Sequence, residues 1–177
     1  MQPLFVILIL LALFYMAWQD FADRAIDWFL FPVVAALLVV NSILLRAFAW
    51  NHLLVNIGLL SVQLVLVALY FKLSRGQLLF AGQQLLGWGD ILFFLVLTLA
   101  FSPLNFILFY IASLLLTLLF FLILALRGRK VHSIPLAGSQ AVILIAVFLI
   151  DIKQWGLYLY NDNLLFNFLN HAYVHLP

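Results

Sequence analysis

The chain has 177 residues, 68% of them hydrophobic and 8% charged, against about 45–50% and about 25% in an ordinary soluble domain. So few charges cannot cover a soluble globule of this size, and with a net charge of +2 the composition excludes a soluble domain, a disordered chain and a nucleic-acid binder. The absence of cysteine removes disulfide frameworks, thiolate metal sites and a cysteine nucleophile, and every acidic side chain is an aspartate.

A helix crosses a bilayer with about 20 mostly apolar residues. Six stretches qualify, about Pro3–Gln19, Trp28–Leu45, Leu53–Phe71, Gln83–Phe101, Leu104–Leu126 and Leu136–Leu157. Lipid offers backbone groups no partner, so each is expected to be helical. The first lacks a basic n-region and a small-residue cleavage site and is read as a retained span. It ends at Asp20, and the loop after it carries Asp23, Arg24 and Asp27. Asp23 and Asp27 are spaced to share a helix face, and Arg24 can pair with Asp20 or with lipid phosphate. The fourth span contains Gly87-Trp88-Gly89-Asp90. The sixth carries Asp151, and the tail from Asn161 to Pro177, with Asp162, reads as an interfacial helix. Trp18, Trp28, Trp50 and Trp155 fall near span ends, where an aromatic belt sits.

Six of the eight Lys and Arg residues follow spans one, three and five: Arg24, Lys72, Arg75, Arg127, Arg129 and Lys130. The positive-inside rule then puts those loops in the cytoplasm and both termini outside it. The expected fold is one all-α domain over residues 1–177, a polytopic membrane protein with six transmembrane helices.

This orientation brings Asp20 and Asp90 to the same membrane face. An aspartate within a membrane helix costs about 2.5–3.5 kcal/mol at the centre and less near the surface. Gly87 and Gly89 break helical regularity and allow close backbone approach. A helix restarting there would favour the Asp90 carboxylate with its N-terminal amides. Two carboxylates brought together share one proton, so one takes a proton from water while the other polarises a carbonyl and protonates the leaving amine. On the residues alone this reading competes with one in which Asp20 caps a helix at the surface and Asp90 serves packing or a helix terminus. His52, His132, His171 and His175 lack metal-ligand spacing with a carboxylate, and no metal or cofactor is expected. The cluster of Arg127, Arg129 and Lys130 reads as a topology signal, with anionic-lipid contact second.

Gly87-Trp88-Gly89-Asp90 resembles the GxGD motif of intramembrane aspartyl proteases. The loop from Asp20 through Arg24 and Ile26-Asp27 to Pro32 is similar to the first-aspartate motif of type IV prepilin peptidases. The segment from Arg127 through Ile134-Pro135 to Gly138 is similar to that family's basic loop and the start of its last span. The resemblance implies an aspartic endopeptidase of the bacterial cytoplasmic membrane. Its substrates would be prepilins or pseudopilins, cut at the cytoplasmic face to remove a basic leader. Asp20 and Asp90 would be catalytic, with Gly87, Gly89, Arg24 and Asp27 supporting the site or binding substrate. Leu92 stands where the family commonly has Lys, and Ile26-Asp27 where it has Pro-Asn. The cysteine-containing domain that accompanies methylation in larger members is absent, so methyltransferase activity is not expected. The alternative is an inactive relative serving as an assembly or scaffold subunit of a pilus-like or secretion system.

Overall fold

The computed structural model describes residues 2–75, 87–128, 134–153 and 159–162, and among these it is all-helical. Six helices follow in order: α1 (Gln2–Asp23), α2 (Leu30–Leu44), α3 (Trp50–Arg75), α4 (Trp88–Leu97), α5 (Pro103–Leu126) and α6 (Leu136–Lys153). Helices α1, α3 and α5 are each long and apolar enough to cross a membrane, while α2, α4 and α6 are apolar but shorter. Large apolar side chains stand exposed along all six, Leu11, Val40, Leu66, Leu95, Leu115 and Ile150 among them. Water would penalise such a surface and lipid would not, so this is the build of a membrane protein.

One predicted span is much shorter as a helix. α4 has ten residues, about 15 Å at 1.5 Å per residue, against a hydrocarbon core of about 30 Å. Gly87 takes an extended conformation and starts the helix behind it. At the other end the amides of Thr98, Leu99 and Ala100 each bond the carbonyl three residues back, which tightens the last turn, and Pro103 then opens α5. The stretch from 98 to 101, expected to be helical, is therefore a turn. Residues 83–86 of that span lie outside the described residues, as do Arg129, Lys130, His132, Trp155 and the predicted interfacial helix beyond 162.

The first loop also differs from expectation. Asp23 is the last residue of α1, and the chain turns away at Arg24 with φ 56. Asp23 and Asp27 therefore do not share a helix face. Instead Gln19 Nε2 donates to Asp27 Oδ2 at 2.6 Å, and the Asp27 amide donates to Gln19 Oε1 at 3.0 Å. This reciprocal pair folds the loop back onto the last turn of α1.

The core forms where α1 packs against α6 and α2. Ile9, Leu13, Met16 and Asp20 repeat every three or four residues and are buried on α1, whereas Leu11, Phe14 and Trp18 on its other face are exposed. Ala17, Ala137 and Ala141 are buried where α1 and α6 meet, and such small side chains let membrane helices approach closely. At the end opposite Asp20, the buried Asn56 of α3 donates to the carbonyls of Thr98 (3.0 Å) and Phe101 (2.9 Å), which the end of α4 leaves without helical partners. The Ser102 amide donates to the Leu159 carbonyl at 2.9 Å and its hydroxyl to Asp162 at 2.5 Å, tying the chain after α6 to the start of α5. Asn56→Ala leaves both carbonyls unmet and is expected to lower stability by about 1–3 kcal/mol, read as an earlier unfolding midpoint in detergent.

Candidate active site

Two aspartates from different helices meet at the first turn of a third. Asp20 lies one turn before the end of α1 and is 8% exposed. Asp90 is the third residue of α4, so its carboxylate sits at the amide-rich end of that helix. α4 begins within the Gly-Trp-Gly-Asp segment, and the Gly87 amide donates to Asp90 Oδ2 at 3.3 Å. A side chain on Gly87 would put its Cβ 3.1 Å from that oxygen, so the glycine leaves room for the carboxylate to fold back.

Helix α6 supplies the other half. Pro135 precedes it, with φ already suited to a helix, and the Pro135 carbonyl accepts the Ser139 amide at 3.0 Å. The amides just inside the helix have no carbonyl to bond within it. The Ala137 amide donates to Asp90 Oδ1 at 3.0 Å, and the next amide, of Gly138, donates to Asp20 Oδ2 at 2.6 Å. Adjacent peptide groups thus hold one carboxylate each, at the positive end of the α6 dipole. The pair is close enough for the charge on Asp20 to act directly on Asp90. Both Asp90 oxygens accept amide hydrogen bonds, while Asp20 accepts one among the described residues, leaving its Oδ1 uncommitted.

The other predicted residues divide. Arg24 is exposed one turn beyond Asp20, near enough for its charge to act on that carboxylate. Asp27 is committed to Gln19 and shapes the loop beside the pair. Gly89 is not sterically required: a Cβ there would meet Phe31 at 3.9 Å, an ordinary contact. Gly138 is required. A Cβ there would lie 2.9 Å from both Cβ and Oδ2 of Asp20 and 3.3 Å from the Ala17 carbonyl. Ala137 and Gly138 were not expected as site residues. Their signal is the Ile134-Pro135 pair, which marks the start of a helix and hence a set of unpartnered amides. Among the described residues no group of three His, Cys, Asp or Glu side chains is arranged to hold a metal. A scan for known protein families, a search of curated proteins and a search of solved structures each found no match.

Proposed function

We propose that the chain is a membrane-embedded aspartic endopeptidase of the prepilin peptidase type. It would remove the basic leader from prepilin-like or pseudopilin-like substrates at the cytoplasmic face of the bacterial inner membrane. The observation that carries this reading is the juxtaposition of Asp20 and Asp90 on consecutive amides of α6. These residues lie 70 positions apart on helices that share no sequence signal, and a structural role for either one alone does not call for the other.

The chemistry follows from the pair. With one proton between them, the ionised carboxylate takes a proton from water as the water oxygen bonds to the scissile carbonyl carbon. The neutral carboxyl gives its proton to the carbonyl oxygen. The tetrahedral intermediate then collapses: the C–N bond breaks, the nitrogen leaves with a proton from the carboxyl that received it from water, and the other carboxylate takes a hydroxyl proton from the intermediate, which restores the one shared proton. The amides of Ala137 and Gly138 hold the two acids in place throughout. Exposed Trp18, Trp28 and Trp88 ring this end of the bundle, the level at which aromatic side chains sit at a lipid boundary. A substrate whose apolar helix stays in the membrane would present the peptide at its edge to the pair.

In this reading the chain crosses six times with both termini outside the cytoplasm, α4 covering only part of the bilayer thickness in the fourth crossing. The cysteine-free chain makes that testable. An Arg127→Cys variant is expected to react with a membrane-impermeant thiol reagent only from the cytoplasmic side and Arg46→Cys only from the other; the reverse pattern overturns the orientation. The function itself is tested by incubating the purified protein with a prepilin-like substrate beside its Asp20→Asn and Asp90→Asn variants. Cleavage by the parent and none by the variants is expected. Cleavage that survives both substitutions rules out the pair, and a parent that cuts no pilin-like leader favours the scaffold alternative.

A further inference from the structure

Gln140 breaks the rule that buried polar groups find partners. Its side chain is fully buried in α6, and neither Nε2 nor Oε1 has a hydrogen-bond partner. Buried polar atoms in folded proteins are nearly always satisfied by protein or by ordered water. Asn41 and Asn56 each have an unmet oxygen but use their NH2 groups. Among the described residues Gln140 is the one buried amide whose donor and acceptor are both unmet.

Its position gives this meaning. Gln140 follows Ala137 by three residues, about 4.5 Å along α6 and about 60° around it. Long side chains on a helix lean back over the preceding turn. The Gln140 amide is therefore carried towards the level of the Ala137 and Gly138 amides. It lies on the side of Ala137, whose N–H holds Asp90, rather than that of Gly138, which faces Asp20. No direct hydrogen bond joins Gln140 to Asp90. Neighbouring polar groups without a direct bond are commonly bridged by water, and a buried water makes about three hydrogen bonds. Gln140 supplies a donor and an acceptor for one, and Asp90 a further acceptor. On α5, the buried Thr117 hydroxyl is also unpartnered, in the half of that helix nearer the aspartates.

We propose that Gln140 holds a water molecule beside Asp90 and that this is the water consumed in peptide hydrolysis, the second part resting on the peptidase reading above. In a site walled by lipid and apolar side chains, the reacting water needs a polar group to keep it. An aspartate can hold the water by one hydrogen bond, and Gln140 adds a second polar group that fixes where the water sits. Gln140 is then a water-positioning residue, and its lack of a protein partner is the condition for its role.

The two parts are tested separately. A high-resolution crystal structure of the parent protein is expected to show an ordered water within about 3.2 Å of the Gln140 amide and in contact with Asp90. A dry amide overturns the site whether or not the protein cleaves anything. In the cleavage assay, Gln140→Leu is expected to lower kcat about 100-fold with KM unchanged. The unfolding midpoint in detergent is measured alongside, so that the rate is compared between folded proteins. Unchanged kcat, or a raised KM with kcat unchanged, overturns the role in hydrolysis. Should Gln140→Leu fail to fold, Gln140→Met carries the same test. A parent that cleaves no leader defeats the peptidase reading and the hydrolytic role together, and leaves the water site to the crystal structure.

Discussion

Asp20→Asn and Asp90→Asn are each expected to reduce leader cleavage about 1,000-fold while leaving the helical bundle folded, within the range that positioned acid–base groups contribute. Asparagine is nearly isosteric with aspartate and keeps an oxygen that can accept the Gly138 amide, or the Ala137 amide in the case of Asp90. At residue 20 the loss is the ability to take or give a proton, while at residue 90 the bond from Gly87 is lost as well, so the unfolding midpoint is needed to separate chemistry from architecture. The double variant should be little worse than either single one, because two groups that share one proton act as a unit and their effects do not multiply. Substrate and product would be resolved by mass, with the unfolding midpoint in detergent measured alongside. A variant that melts with the parent and still cleaves at the parent rate removes that aspartate from the mechanism. A double variant about a million-fold slower than the parent would instead indicate two independent groups.

The start of α4 and the shared level of the two aspartates were legible in the sequence because both depend on local or global counting. Gly87 opens α4 with an extended backbone that glycine readily adopts, and the placement of Lys and Arg puts Asp20 and Asp90 at the same end of their expected spans. Facing was not legible. On α1, Leu13 is buried and Leu11 is exposed, yet the two residues are identical, because lipid and protein core are equally apolar and leave no amphipathic stripe to read. For the same reason nothing in the sequence marked Gly138 as the point where α6 touches α1, or Gln140 as buried. The shortness of α4 escaped because Thr98–Phe101 is apolar enough to continue a span. It ends instead through backbone bonds three residues back and through Asn56, contributed by a different helix. The Gln19–Asp27 pair was missed because it needs the left-handed turn at Arg24, a conformation that residue type does not announce.

Gly138→Ala is expected to abolish most of the activity although residue 138 carries no functional side chain. Two of the three atoms its Cβ would meet, Asp20 Cβ at 2.9 Å and the Ala17 carbonyl oxygen at 3.3 Å, are fixed to the α1 backbone and cannot rotate away. The third, Asp20 Oδ2 at 2.9 Å, can move only by giving up its bond to the Gly138 amide. Helix α6 must therefore shift from α1, and Asp20 loses its place relative to Asp90. Overpacking of this kind costs about 1–3 kcal/mol, partly offset by about 1 kcal/mol of better helix propensity, so the change in unfolding midpoint should be modest. A displacement of about 1 Å between reacting groups, by contrast, can cost about 100-fold in rate. Gly58→Ala is the matched control: it makes the same substitution within α3, where a Cβ meets nothing within 4 Å, and it should gain stability and keep full activity. Gly138→Ala cleaving at the parent rate would mean that the α1–α6 contact does not set the geometry of the pair. Loss of activity in both alanine variants would point to a general intolerance of the membrane fold rather than to this contact.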